Sequence, residues 1–91
     1  MAENFLLNID VRDDYDTKKL KEKLDICVDW LRIVPGCYFL RTTSDKEKLY
    51  KRFKSILGDT SFFISKIDIS TGNYIGWLPT KKWDWLKEYE K

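Results

Sequence analysis

Ninety-one residues, 43% hydrophobic and 15% aromatic, make one small domain too rich in bulky side chains to stay disordered despite 35% charge. A net charge of +2 argues only weakly for a polyanionic partner. The chain has no histidine, which excludes Ser-His and Cys-His nucleophile pairs and His-ligated metals.

Cys27 and Cys37 have neither metal spacing nor disulfide-rich company, so the reducing cytosol is the default. The run Phe5-Leu6-Leu7 is too short for a signal peptide, and no stretch approaches a membrane span. The expectation is a cytoplasmic protein with no membrane contact. Residues 1–91 read as a single domain, with 1–79 the core and 80–91 a C-terminal tail.

Residues 4–11 read as a strand, because Phe5, Leu7, Ile9 and Val11 alternate with Leu6, Asn8 and Asp10. An acidic loop follows, and Asp16 or Thr17 caps the next helix. Leu20, Leu24, Cys27, Val28 and Leu31 form its apolar stripe, with an end expected near Asp29; Lys18, Lys19, Lys21 and Lys23 cover the other sides. Residues 30–34 and 37–42 read as two strands split by Pro35-Gly36, the signature of a type II turn. Tight hairpins prefer the primed turns, so a looser or bulged connection is expected. Ser44-Asp45-Lys46-Glu47 reads as a capping box opening a helix with Leu49, Phe53, Ile56 and Leu57 buried and Gly58 ending it. Residues 61–69 read as a strand with Phe63, Ile67 and Ile69 on one face. Ser70-Thr71-Gly72-Asn73 is turn chemistry. Residues 74–78 read as a short last strand stopped by Pro79. Thr80 caps a final helical turn or two. There Trp83 and Leu86 share a face, so Trp83 is expected to be better buried than Trp85.

The order is β-α-β-β-α-β with an extra C-terminal strand and a short helical tail. Both crossovers run right-handed, so the two helices share one side of an antiparallel sheet. This is the ferredoxin-like α+β sandwich. The other sheet face is left uncovered, which together with the surplus of aromatic rings predicts a homodimer.

Three stretches carry a resemblance. They are the strand-end Asn8-Ile9-Asp10-Val11-Arg12-Asp13-Asp14, the hairpin Arg32-Ile33-Val34-Pro35-Gly36-Cys37-Tyr38-Phe39, and the tail from Gly76-Trp77-Leu78 to Trp83-Asp84-Trp85-Leu86. The first two resemble the CRISPR-associated adaptation protein that partners the spacer integrase. The tail is more similar to the SinR-like relatives in that superfamily, which also includes virulence-associated protein D. The resemblance implies a ferredoxin-like homodimer whose last strand adds to the partner's sheet. It also implies that strand-end aspartates of two protomers face each other around a divalent cation that supports phosphodiester cleavage. By position that residue is Asp10.

Asp10 is accordingly the candidate catalytic and metal-binding residue. A hard cation, Mg2+ or Mn2+, takes carboxylate oxygens and water, and metal-activated water would replace the missing histidine. The competing reading is a strand-end carboxylate that caps its loop, and Asp13, Asp14 and Asp16 read as solvated turn residues. Lys48, Lys51, Arg52 and Lys54 offer a basic face to RNA or DNA phosphates, or the solvated side of an amphipathic helix. Arg32 is a further phosphate candidate, or a snorkelling hairpin arginine. Trp77, Trp83, Trp85 and Tyr74 stack bases or close a core edge or an interface. Two functions stay open: a metal-dependent nuclease or related nucleic-acid-binding protein, and a non-catalytic module that engages a protein partner.

Overall fold

Strict alternation on β1 (Glu3–Ile9) organises the fold, since this strand occupies an interior position in the sheet and buries Phe5, Leu7 and Ile9 on one face. The computed structural model describes residues 2–69 and 75–89. After β1 come α1 (Thr17–Leu24), β2 (Asp29–Val34), β3 (Cys37–Thr42), α2 (Lys46–Leu57), β4 (Phe62–Lys66) and α3 (Thr80–Tyr89). The result is a small α+β domain with a four-stranded sheet in the order β2-β3-β1-β4, every neighbouring pair antiparallel. Among the described residues, no helix is long and apolar enough to cross a membrane.

Register places Phe5 opposite Leu40 and Leu7 opposite Tyr38 and Ile64. These side chains face Leu20 and Leu24 of α1 and Leu49, Phe53 and Leu57 of α2, one continuous core. Both helices therefore cover the same side of the sheet. Asp16 caps α1, its Oδ1 accepting from the backbone N–H of Lys18 and Lys19 at 3.0 and 3.1 Å.

The helix ends at Leu24, not near Asp29. Asp25 closes it, and the chain turns so that Cys27 still reaches the core while Val28 is 61% exposed. Asp25 also accepts from the Trp30 indole at 2.9 Å, which fixes the start of the next strand. At α2 the cap is Asp45, which accepts from Lys48 N–H at 2.9 Å, rather than Ser44. The Ser44 hydroxyl instead accepts from Arg52. Gly58 ends α2 at φ +58°, a conformation costly for any side chain.

The β2–β3 connection is bulged, as its turn chemistry predicts. The register slips between Arg32 and Val34, and Gly36 takes φ +81°. A Cβ at Gly36 would lie 2.5 Å from the Ile9 carbonyl oxygen and from Val11 Cγ1, so the turn tip packs hard against the end of β1. Gly36 in return accepts from Ile9 N–H at 2.7 Å.

The second sheet face is not left open. Phe39 and Arg41 of β3 and Asp29 of β2 point there, and α3 lies across them. Trp85 stacks on Phe39 at 6.3 Å, and Arg41 sits 4.6 Å from the Tyr89 ring centre. Tyr89 donates to Asp29 Oδ2 at 2.6 Å, and Lys82 Nζ donates to the Ile33 carbonyl at 2.6 Å. Leu86 is 1% exposed. The buried stripe is thus Lys82, Trp85, Leu86 and Tyr89, at i, i+3, i+4 and i+7, over a helix longer than the expected turn or two. Trp83 and Trp85 are both half-buried, and Trp85 stacks on the sheet while its indole N–H is buried with no hydrogen-bond partner among the described residues.

The expected last strand falls partly outside the described residues, along with the turn at 70–73. Its described part, 75–78, forms no strand. Ile75 is fully exposed and Trp77 89% exposed, so this part of the alternation meets no sheet edge among the described residues.

Candidate functional site

Asp10 follows β1 at the end of the sheet, tied by its N–H to the Ser61 carbonyl at 2.9 Å. Its carboxylate is engaged by its own loop. Arg12 donates to Oδ1 through its backbone N–H and Nε, both at 3.0 Å, and to Oδ2 through Nη2 at 2.9 Å. That fork holds the Asp10 carboxyl down at about 2, so it is ionised throughout the neutral range. Asp13 and Asp14 are exposed, and Asp16 is spent on the α1 cap. Among the described residues, no three His, Cys, Asp or Glu side chains converge as a metal cage would require.

The basic candidates do not form one patch. Lys48, Lys51 and Lys54 are exposed on α2, with Lys54 also donating to the Gly58 carbonyl. Arg52 turns inward: Nη2 reaches Ser44 Oγ at 2.8 Å and Nη1 reaches Cys27 Sγ at 3.9 Å. Burial raises the Cys27 thiol pKa, and the Arg52 charge partly opposes that rise. Arg32 lies apart, on edge strand β2 opposite Tyr38.

Open grooves among the described residues flank the helical layer. One, of about 420 Å³, runs between α2 and β4 and is lined by Lys46, Glu47, Tyr50, Lys51, Phe62, Phe63 and Ile64. It is largely apolar; Tyr50 stacks on Phe62 at 5.7 Å, and Phe63 is well exposed. The other, of about 480 Å³, runs between α1 and β2. Leu20, Leu24, Trp30 and Tyr38 form its floor, and Lys18, Lys21 and Arg32 its rim. Trp30 and Tyr38 meet at a tilt, with ring centres 6.0 Å apart. Asp25 fixes the indole and also pairs with Lys21 at 3.4 Å. Burial and Tyr15 push the Tyr38 hydroxyl pKa up, and nearby Arg32 works against them.

Charge is unevenly spread over the fold. Helices α1 and α2 hold nine of the chain's 17 Lys and Arg but only two of its 15 Asp and Glu. The solvent side of the helical layer is therefore positive, and the rest of the chain is net acidic. Lys18, Lys21, Trp30 and Tyr38 are functional candidates that the sequence pattern alone did not single out. Their grouping depends on α1 lying beside β2, and reading α1 through to Asp29 hides it.

Comparisons with family models, curated proteins and solved structures found no match.

Proposed function

We propose that this chain is a cytoplasmic nucleic-acid-binding protein built on the ferredoxin-like βαββαβ arrangement, in the superfamily its strand-end and hairpin motifs resemble. The observation that carries this reading is the segregation of positive charge onto the two-helix layer. Phosphate contacts need charge and little geometry, and exposed lysines on parallel or crossing helices supply it. Lys18, Lys19, Lys48, Lys51 and Lys54 are the contacts, with Arg52 supporting from within. A homodimer fits the same reading, because Phe63, Ile75 and Trp77 remain exposed after α3 has covered its share of the sheet.

Binding of labelled RNA and DNA across a salt series is the test. Affinity should fall steeply with salt, and the double variant Lys48→Glu/Lys51→Glu should flatten that slope by about two counterions. Absence of binding at low salt sinks the proposal. Phosphodiester cleavage at Asp10 with Mg2+ or Mn2+ belongs to the proposal as its catalytic extension. It is checked by loss of cleavage with EDTA and in Asp10→Ala, and activity surviving both removes Asp10 from the mechanism.

A protein-interaction module is the second reading, favoured by the apolar groove of Tyr50, Phe62, Phe63 and Ile64. Under it Phe63→Ser abolishes partner capture, and the lysine variants leave that capture unchanged.

A further inference from the structure

The groove between α1 and β2 differs in kind from the lysine-studded outer surface of the helices. Its floor is apolar, two leucines and two aromatic rings, and its rim is cationic. Lys18 and Arg32 form no ion pair among the described residues, so two of its three charges are uncommitted. The third, Lys21, is held by Asp25, which also anchors the Trp30 indole. One carboxylate thus sets both a ring and a cation in fixed relation. A duplex offers phosphates but keeps its bases stacked inside, whereas a single strand offers both phosphate and a free base face. Roughly 300–1,000 Å³ is the usual range for a small-ligand pocket, and about 480 Å³ falls inside it.

We infer that this groove is a nucleotide subsite for single-stranded nucleic acid, with one base stacked on Trp30, which Tyr38 backs from the core, and its flanking phosphates held by Lys18, Lys21 and Arg32. This rests on the nucleic-acid-binding reading above and deepens it. The helical lysines bind any phosphate backbone, and the groove supplies the preference for unpaired strands.

Fluorescence anisotropy with short labelled single strands of RNA and DNA, and with matching duplexes, tests the inference on the full chain. Wild type should bind single strands about tenfold tighter than duplex. Trp30→Leu should remove that preference and leave duplex affinity unchanged. Arg32 is exposed, so Arg32→Glu keeps the fold while weakening single-strand binding by about tenfold, again sparing duplex. Equal wild-type affinity for both forms, or variants that do not alter the preference, overturns the groove and leaves the broader reading standing. No binding to either form overturns both. Binding of a free nucleoside monophosphate without any strand binding also overturns it, in favour of a small-molecule site.

Discussion

Leu86→Ala tests whether α3 is part of the folded domain or an appendage. Leu86 is 1% exposed although it lies outside the main core, so the second sheet face has an interior of its own. Removing three buried carbons from such a site costs about 2–5 kcal/mol. The helix is reached through residues 75–77, which are exposed, so α3 can settle and partly close the gap. The lower part of that range, about 2–3 kcal/mol, is therefore expected. A domain of this size melts about 4–8 °C lower for each kcal/mol lost, which gives a fall of roughly 8–24 °C. Thermal unfolding followed by circular dichroism reads it directly. Lys87→Ala, on the exposed side of the same helix, is the internal control and should leave the melting temperature within about 4 °C of wild type. If Leu86→Ala melts like wild type, α3 contributes nothing to folding and its contacts with Phe39, Arg41 and Asp29 are incidental.

Gly36→Ala should destabilise by about 1–3 kcal/mol in urea unfolding, because a side chain there meets both a φ of +81° and atoms 2.5 Å away; an unchanged midpoint would contradict the tight packing of the turn on β1. Tyr89 donates to Asp29, which lifts its hydroxyl pKa to about 12. A raised tyrosine pKa means stability that is complete below the ordinary value near 10 and drains away as pH climbs toward 12. Ultraviolet titration should show one late phenol that is missing in Tyr89→Phe. For Asp10 the shift is downward, so the stability its contact provides is present above the ordinary carboxylate value and is lost only as pH falls toward 2. Nuclear magnetic resonance of the Asp10 carboxyl should find it still ionised at pH 3, and Arg12→Ala should move its titration up.

Legibility followed the range of the interactions concerned. β1 and α2 were readable because a local period decides them, and the bulged hairpin because Pro35-Gly36 encodes a turn whose twist does not suit a tight two-residue loop. The end of α1 was not readable, because Cys27 stays buried at helical spacing after the helix has stopped. Its neighbours Ile26 and Val28, both exposed, mark the turn only once the strand beginning at Asp29 is known. The tail misled in a different way. Trp83 and Leu86 do share a face, but the wider stripe of Lys82, Trp85, Leu86 and Tyr89 is hidden in the sequence because it begins with a lysine. That lysine reaches the Ile33 carbonyl, the group at the bulge. A local irregularity in the hairpin and a charged residue near the C-terminus thus complete each other, a pairing across 49 residues that no local pattern encodes. The α1–β2 groove is likewise a product of topology: Lys18, Lys21 and Arg32 become neighbours only when α1 lies along the β2 edge.

Asp10 shows how the same loop bears on both open functions. Its ionisation is secured, so protonation is no obstacle to holding a cation. The obstacle is Arg12, which occupies both oxygens. A cation arriving at Asp10 has to displace the guanidinium, and the two positive charges cannot share one carboxylate cheaply. Arg12 is 86% exposed at its side chain, however, and a solvent-facing ion pair contributes little to folding, so its release is inexpensive. With Asp10 free, the loop loses a side-chain lock but keeps the Ser61 contact and the Gly36 packing that place it at the end of the sheet. The scaffold that positions Asp10 is therefore independent of the pair that occupies it. If a phosphate and a divalent cation were to reach this loop, the phosphate would be an acceptor for the Arg12 guanidinium and Asp10 would be the carboxylate left to hold the cation. In a purely structural loop the same fork simply remains closed, capping the acidic run before α1.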